Sequence, residues 1–428
     1  QIVFFEKPFL KFERLLETYV AFAPKGFSQF IKAMPVWLRE KLFQKKMLLN
    51  ELKKIDNNFK NKEKIKFSEH HISHAASAFF PSPYESSAVL TLDGVGEWAT
   101  STISFGNKND LQMLKEINFP HSLGLLYSAF TYYLGFKVNE GEYKLMGLAP
   151  YGDPKYVNII YDNLIDVKND GSYRMNMEYF NYATGLTMTN KKFDKLFNFN
   201  FRNLEDKNIN IDQMDIAASV QKVVEDIIIK ICKNIKKETG SKTLCLAGGV
   251  ALNCVANGKI IDEKIFEDIW IQPAAGDAGG SVGAALAYWY LQEKNDRKID
   301  YDGYEDGMKG SLLGPEYNDQ EIEKKLNEFS LKFEKFDNDT LTDKVTDEII
   351  KGKAIGWFQG KMEYGPRALG NRSIIADARN EEMQKNLNLK VKFRESFRPF
   401  APSILYEDLK DWFELEISSP YMLLVSNI

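Results

Sequence analysis

The chain has 428 residues, of which 44% are hydrophobic and 27% charged, and its formal net charge is −4. This composition is typical of a folded globular protein of about two to four domains, which excludes a short peptide and a disordered chain. Three cysteines are too few for a disulfide framework. The longest nearly uninterrupted apolar run, residues 282–291, is too short to cross a bilayer, so we expect a cytoplasmic protein without a membrane partner.

The first 66 residues form a basic segment, with 15 Lys and Arg against 7 Asp and Glu. Apolar residues recur there at helical spacing between residues 9 and 59, which predicts amphipathic helices. A basic helical surface suits nucleic acid, but solvated lysines on a helix face are more common, so we expect no nucleic-acid partner. The chain starts with Gln1 inside a candidate strand and ends in another apolar run, so both ends look cut.

The middle of the chain alternates strands with helices, which predicts a mixed α/β fold. The predicted strands are 87–92, 101–105, 244–247 and 269–271, the first two forming a hairpin. The predicted helices are 122–134, a long helix from Asp212 or Asp215 to Gly240, and 280–291. Residues 250–257 are predicted to be the start of a further helix.

A polar, glycine-containing stretch at 295–314 is the best linker candidate. It predicts two domains, 1–300 and 301–428. Within the second, helices are expected at 322–329 and 341–351, and a strand at 354–358.

Three of the four histidines lie together, at His70, His71 and His74. On a helix, His70 and His74 face the same way one turn apart, so both imidazoles can reach one metal ion. His71 stands where a zincin carries its catalytic glutamate, which argues against a metallopeptidase. Asp277 follows an apolar strand and is a candidate third ligand; alternatively it caps the next helix, and the histidines are polar surface residues. Two histidines and a carboxylate would leave open positions on Fe(II), Mn(II) or Zn(II).

Two glycine-rich turns follow predicted strands, Asp93-Gly94-Val95-Gly96 and Gly248-Gly249 with Asn253 beyond it. Bare backbone N–H groups there can approach phosphates, although ordinary tight turns are the more frequent explanation of each turn alone. Their order along the chain is that of actin-like and hexokinase-like ATPases. Lys144 is a candidate phosphate ligand or an ordinary surface salt-bridge residue.

Residues 361–398 hold 9 Lys and Arg against 5 Asp and Glu, in a chain that is acidic overall. The arginines lie among Gly, Pro and aromatic residues, and such rigidly held guanidinium groups suit phosphate and carboxylate oxygens. A structural ion-pair network is the alternative. The candidate anion ligands are Arg367, Arg372, Lys392 and Arg398.

These motifs together resemble the NodU/CmcH-type O-carbamoyltransferases. The strings that carry the resemblance include HHISHAASAFFPSPY (70–84), TLDGVGEWAT (91–100), GEYKLMGLAPYGDP (141–154), LAGGVALNCVANGKI (246–260), QPAAGDAGGSVGAAL (272–286) and GKMEYGPRALGNRSIIADAR (360–379). They occur in order and span most of the chain.

The resemblance implies an actin/hexokinase-like duplicated ATPase domain followed by a smaller α+β domain similar to YrdC, both incomplete at the chain ends. Such enzymes consume carbamoyl phosphate and ATP, form a carbamoyl-adenylate, and transfer the carbamoyl group to a hydroxyl of a sugar or natural product. A divalent metal is implied, Fe2+ before Mn2+ or Zn2+, with Mg2+ accompanying ATP. Family members also carry an earlier strand pair with a further histidine, and they continue past Val425. A homodimer is an open option.

The resemblance also assigns roles to residues. His70, His74 and Asp277 would bind the metal. Arg367, Lys392 and Arg398 would clamp carbamoyl phosphate, with Arg372 beside them. The nucleotide would contact Asp93, Gly94, Gly96, Lys144, Gly248, Gly249, Asn253 and Gly276.

Two alternatives stay open at this point. The first is a tRNA threonylcarbamoyl transferase-like enzyme, in which the GPRALGNRS motif is not expected. The second is a nucleotide-binding scaffold without turnover, against which the joint presence of His70, His74, Asp277 and Arg367 speaks.

Overall fold

Eleven strands are present in the part of the chain that the computed structural model describes, residues 1–39, 41–199 and 209–428. In chain order, β1 to β11 are Ile2–Phe4, Ile65–Phe67, Ser86–Leu92, Ala99–Asn107, Asp110–Asn118, Ile165–Val167, Tyr173–Met175, Thr243–Ala247, Asp268–Ile271, Ile355–Phe358 and Arg372–Ile375. Contacts along the chain divide it into one unit of residues 1–300 with 423–425 and another of 301–422 with 426–428.

The helices α1 to α15 account for most of the remaining regular structure. They are Pro8–Phe22, Phe27–Arg39, Gln44–Ile55, His70–Phe79, Leu123–Tyr133, Glu142–Leu148, Val157–Asn163, Lys191–Phe197, Ile211–Thr239, Cys254–Asp262, Asp277–Ala287, Asp319–Glu328, Asn338–Ile350, Met383–Asn386 and Leu409–Trp412. None of the helices in the described ranges has the length and apolar character that crossing a bilayer requires.

The first unit contains a five-stranded mixed sheet with the order β5-β4-β3-β8-β9. The three strands β3, β8 and β9 run parallel, whereas β3 and β4, and then β4 and β5, pair in antiparallel fashion. The strands β3 and β8 are almost wholly buried, as their continuous apolar sequences predict for the centre of a parallel sheet. The mixed α/β class and the predicted hairpin are confirmed.

Only one such sheet occurs in the described ranges of the first unit, which also contains the parallel pair β1–β2 and the small antiparallel pair β6–β7. The basic segment forms α1 to α3, as its helical periodicity predicts, and these helices lie between β1 and β2. The second unit holds α12 to α15 and the antiparallel pair β10–β11.

The long helix α9 shows where local sequence signals succeed and where they fail. It ends at Gly240, which adopts φ 64°, as the predicted stop requires. Its predicted start at Asp212 or Asp215 is wrong, because Asn210 is the N-cap and forms a capping box with Gln213. The apolar face of α9 is buried throughout, so this helix forms a main part of the core.

Candidate metal and nucleotide site

Three strand ends bring the predicted site residues to one edge of the sheet. Because β3, β8 and β9 are parallel, their carboxyl ends lie side by side. Asp93 directly follows β3, the Gly248-Gly249 turn follows β8, and residues 272–276 lead from β9 into α11. The sequence separates these segments by up to about 180 residues, but the fold makes them neighbours.

The histidine pair lies at the start of α4, and both side chains are at most 2% exposed. Their Nε2 atoms lie 3.0 Å apart. Asp93 Oδ2 is 3.0 Å from Nε2 of His70 and 3.7 Å from Nε2 of His74. Asp277 Oδ1 is 3.5 Å and 3.6 Å from the same two nitrogens. The four side chains thus point donor atoms at a common centre.

This donor set fits a divalent transition metal. One ligand atom from each of His70, His74, Asp93 and Asp277 can be chosen so that all lie within 4.8 Å of one another. With bonds of about 2.1 Å, two ligands of one tetrahedral or octahedral ion lie about 3.0 to 3.4 Å apart, close to the separations found here. Imidazole nitrogen combined with carboxylate oxygen suits Fe, Zn or Mn. A divalent ion would balance the negative charges of the two carboxylates, while both imidazoles would bind it in their neutral form.

Asp277 is the first residue of α11 and does not cap it. The N-cap is Gly276, which makes no side-chain cap hydrogen bond. The alternative interpretation of Asp277 as a helix cap is therefore wrong. Its side chain is 64% exposed, against 13% for Asp93, so the cluster opens to solvent on the Asp277 side.

The electrostatics of the cluster reflect the close packing of unlike charges. Burial lowers the pKa of His74, but hydrogen bonds to Asp277 and Asp93 outweigh it and raise that pKa to about 9. Burial would raise the pKa of Asp93, yet hydrogen bonds to His70 and His74 hold it well below its usual range. The hydrogen bond with His74 likewise lowers the pKa of Asp277, against burial. Both carboxylates are therefore ionised near neutral pH and suited to hold a cation.

Asp93 is the ligand candidate that sequence reasoning assigned only to the nucleotide turn. Its Oδ1 accepts a hydrogen bond from the Gly249 N–H at 3.1 Å, while its Oδ2 faces the histidines. The sequence signal was available, since an aspartate at the end of a buried strand is well placed for a site residue, as was argued for Asp277.

Glu97 is a second residue that the sequence analysis missed. Its carboxylate is 6% exposed and accepts the His70 N–H at 3.0 to 3.1 Å and the Lys7 N–H at 2.7 Å. It thereby satisfies the first backbone donor of α4, where a negative charge is also favoured by the helix dipole. Glu97 thus fixes the start of the helix that carries both histidines.

The Gly248-Gly249 turn is placed by close backbone contacts. Gly248 adopts φ 90°, and a Cβ at this position would lie 2.2 Å from the Leu92 carbonyl oxygen. Its N–H donates to the Ala275 carbonyl at 2.8 Å, which joins the turn to the segment before α11. The three glycine-containing segments that sequence reasoning proposed for a nucleotide are therefore brought together.

The other predicted nucleotide residues have different surroundings. Gly96 packs against the histidines, since a Cβ there would lie 2.9 Å from the ring of His71 and 3.0 Å from the ring of His70. At Gly94 and Gly276 a Cβ would meet nothing closer than 3.9 Å, and the Gly94 carbonyl accepts a hydrogen bond from the Ser122 hydroxyl at 2.7 Å. Lys144 lies on α6 with its ammonium 5.8 Å from the centre of the Phe136 ring.

Asn253 is 8% exposed and engaged in internal hydrogen bonds. Its side chain caps α10 through the Ala256 N–H and pairs with Gln221 in both directions, at 3.0 and 3.1 Å. Gln221 in turn accepts a hydrogen bond from the Tyr127 hydroxyl at 2.7 Å. In this structure Asn253 shapes the turn through these contacts.

In the second unit, Glu363 organises the loop that carries Arg367 and Arg372. Its Oε1 accepts the N–H groups of Leu369, Asn371 and Arg372 at 2.7 to 3.3 Å. The guanidinium of Arg372 donates to carbonyl oxygens, among them Gly360 at 3.0 Å, and lies 3.6 Å from the Phe358 ring centre. Arg372 therefore stabilises the loop, whereas Arg367 is half-buried within it.

The second basic segment follows α14. Asn388 is fully buried and donates to the carbonyl oxygens of Ser396 and Arg398 at 3.1 and 2.8 Å. Lys392 is exposed, and Arg398 lies 3.8 Å from the Glu395 carboxylate. Each basic segment thus has its own buried polar residue that holds its backbone.

Comparison with known families gives matches over most of the chain. The family model described as carbamoyltransferase N-terminus matches residues 1–286, and that described as carbamoyltransferase C-terminus matches residues 346–428.

Individual relatives match a larger share of this chain than of their own length. Uncharacterized protein sll1178 of Synechocystis is 56% identical over 100% of this chain and 69% of its own length. Nodulation protein NolNO of Sinorhizobium fredii is 37% identical over 82% of this chain and 49% of its own length, and nodulation protein NolO of Bradyrhizobium diazoefficiens is 38% identical over 81% and 60%. The chain thus spans 49% to 69% of the length of these relatives. Among solved structures, HypF of T. kodakarensis matches at 15% identity with a TM-score of 0.30, over 56% of this chain and 39% of that one.

Proposed function

This chain belongs to the carbamoyltransferase family, and from that premise we propose that it serves O-carbamoyl transfer. The carbamoyl group would come from carbamoyl phosphate, be activated with ATP as carbamoyl-adenylate, and be transferred to a hydroxyl of a sugar or natural product. Both matching family models are described as parts of a carbamoyltransferase, which supports this direction.

The observation that carries the proposal is the four-residue cluster of His70, His74, Asp93 and Asp277 at the edge of the sheet. A divalent metal held there, with Fe2+ as the first choice, would act as a Lewis acid that polarises a carbonyl or phosphoryl oxygen. Because Asp277 faces solvent, a substrate can approach the cluster from that side.

The chain's own residues position the reactants. The N-terminus of α11 presents backbone N–H groups next to the cluster, where the phosphates of ATP would bind. The turn at Gly248 and Gly249 lies beside it, with its own two N–H groups bonded to the Ala275 carbonyl and to Asp93. Asp93 holds that turn through the Gly249 N–H. Hydrogen-bond donors that are in position before the substrate binds can stabilise the charge that develops in the transition state. This preorganisation is the main source of catalysis that such a site offers.

Arg367, Lys392 and Arg398 are proposed to bind carbamoyl phosphate in the second unit. A dianion taken from water needs several charge-assisted donors. The two basic segments that supply them are each held by a buried polar residue, Glu363 and Asn388. Such fixed backbones reduce the conformational entropy lost when the anion binds.

The test compares two carbamoyl sources in the full chain. Pyrophosphate released from ATP is the readout of activation, and AMP together with carbamoylated product is the readout of transfer. Arg367→Ala should lower pyrophosphate release from carbamoyl phosphate and ATP about tenfold to a hundredfold, while sparing transfer from supplied carbamoyl-adenylate. His74→Ala should stop transfer but spare activation. Arg379→Ala is the matched control, because Arg379 lies in the same basic segment with its side chain 78% exposed.

Two results would contradict the proposal. A chain that releases no pyrophosphate from ATP in the presence of carbamoyl phosphate does not activate this substrate. If Arg367→Ala and His74→Ala fail equally with both carbamoyl sources, activation and transfer share one composite site.

A further inference from the structure

The helix α2 presents an exposed apolar stripe on the surface of the first unit. Phe27, Ile31 and Leu38 are 54%, 50% and 53% exposed. At about 100° of rotation per residue they lie within about 40° of one another around the helix axis. Pro35 is exposed beside them. Scattered exposed apolar residues are common on proteins, but three in line on one helix form a continuous surface.

A basic stripe runs next to the apolar one. Lys32 and Arg39 are both exposed and lie about 80 to 140° around the axis from the three apolar residues. Residues 18–39 contain no Asp or Glu, and residues 25–46 contain six Lys and Arg against one acidic residue. The exposed side of α2 is thus apolar along one edge, and the two charged residues along the other edge, beside the exposed Val36, are both basic.

The opposite side of α2 is held by the protein. Phe30 stacks on Tyr19 with ring centres 4.4 Å apart, and Trp37 lies 5.9 Å from Phe12, both partners being on α1. Gln29 donates to the Tyr182 carbonyl oxygen at 3.4 Å. The exposed stripe therefore belongs to a helix docked in a fixed orientation.

We propose that α2 is a docking surface for an anionic lipid bilayer. An interfacial helix lies in the plane of the headgroups with its apolar side toward the acyl chains and Lys and Arg beside the lipid phosphates. A cluster of four to eight basic residues on an amphipathic helix is typical of anionic-lipid binding. The absence of acidic residues in 18–39 removes the repulsion that an anionic surface would otherwise meet.

This surface differs from the expectation of no membrane partner, which rested on transmembrane signals alone. The helix α1 also exposes apolar residues, Phe9 and Val20 at 70% and 75%. Its exposed side includes Glu13 and Glu17, so α1 lacks the charge that would favour an anionic bilayer. The proposal is therefore confined to α2, with its apolar stripe and the basic stripe of Lys32 and Arg39.

The experiment is co-sedimentation of the full chain with vesicles of phosphatidylcholine alone and of phosphatidylcholine mixed with phosphatidylglycerol. We expect binding to the mixed vesicles and little to the neutral ones. The double variant Ile31→Ser/Leu38→Ser should bind at least about tenfold more weakly. Its matched control is Phe329→Ser/Leu331→Ser in the second unit, where the two side chains are 71% and 55% exposed; this control should bind as the parent chain does.

A second pair of variants separates charge from apolar contact. Lys32→Gln/Arg39→Gln should weaken binding about fivefold for each charge removed, and Lys108→Gln/Lys242→Gln, at sites 71% and 73% exposed, should leave it unchanged. Circular dichroism of each variant checks that the fold is retained.

Equal sedimentation of all variants, or no binding to anionic vesicles, overturns the proposal. So does a chain that forms dimers in analytical ultracentrifugation and loses them in Ile31→Ser/Leu38→Ser without any vesicle binding. That last outcome would assign the stripe to a second copy of the chain.

Discussion

Asp93 is the single side chain whose role changed most between sequence and structure. With its Oδ2 3.0 Å from the His70 Nε2, it should contribute to metal affinity as strongly as Asp277 does. We expect Asp93→Asn and Asp277→Asn each to lower the affinity for Fe2+, Mn2+ or Zn2+ at least about a hundredfold.

Isothermal titration with each ion measures this, and Asp166→Asn, at a carboxylate 61% exposed on β6, is the control. Retained affinity in Asp93→Asn would reduce the ligand set to the three residues that the sequence alone suggested.

Two glycines with positive φ allow backbone strain to be separated from a steric clash. Gly240 has φ 64° and no neighbour within 4 Å of a built Cβ, whereas Gly248 has φ 90° and the Leu92 oxygen at 2.2 Å. Gly240→Ala should therefore lower the free energy of unfolding by only about 1 kcal/mol. Gly248→Ala adds a backbone clash and should cost about 3 kcal/mol or more.

Urea denaturation of the two variants measures the difference. Equal losses would mean that the turn after β8 relaxes freely and that its close approach to β3 is not required.

The helices α4 and α11 act as one element of the site, because they carry the histidines and Asp277 and pack side by side. At Gly283, a Cβ would lie 1.8 Å from the Ser73 carbonyl oxygen, so only glycine allows this spacing. Gly283→Leu should push the helices apart, lowering metal affinity about tenfold or more along with stability.

The control is Ala285→Leu, at an exposed position of the same helix. Metal titration alongside thermal unfolding distinguishes the two effects. A Gly283→Leu variant that loses stability but keeps its metal affinity would show that the ligands adjust independently of the helix spacing.

Local patterns predicted the elements better than they predicted the site. The i, i+4 spacing of His70 and His74 could be recognised because both lie on one helix. Asp93 and Glu97 could not be assigned to them by spacing, since their contacts arise only when β3 and α4 pack together. The same holds for Gly283, whose contact with Ser73 joins residues far apart in sequence. Periodicity reports what a residue does within its own element, whereas the site depends on contacts between elements.

In the first unit, the reactivity of the cysteine thiols shows whether the core is folded. Cys232 and Cys245 are fully buried, and burial raises the pKa of their thiols to about 12 and about 11. Both thiols are protonated at neutral pH and should react with iodoacetamide only after the unit unfolds. Cys254 is half-buried at the start of α10 and should react first.

Mass spectrometry of the alkylated chain, with and without urea, reads the three sites separately. Rapid native labelling of Cys232 or Cys245 would show that the sheet and α9 open locally well below the global unfolding transition.

The two oxygens of Asp93 have a thermodynamic consequence, because one faces the histidines and the other holds the Gly249 N–H. A cation bound by this carboxylate reduces the negative charge beside the turn where a nucleotide would bind. Occupancy of the two places is then coupled, and equilibrium reciprocity requires that each ligand alter the affinity of the other by the same factor. Titrating ATP with and without the ion, and the ion with and without ATP, should return one coupling constant from two independent experiments.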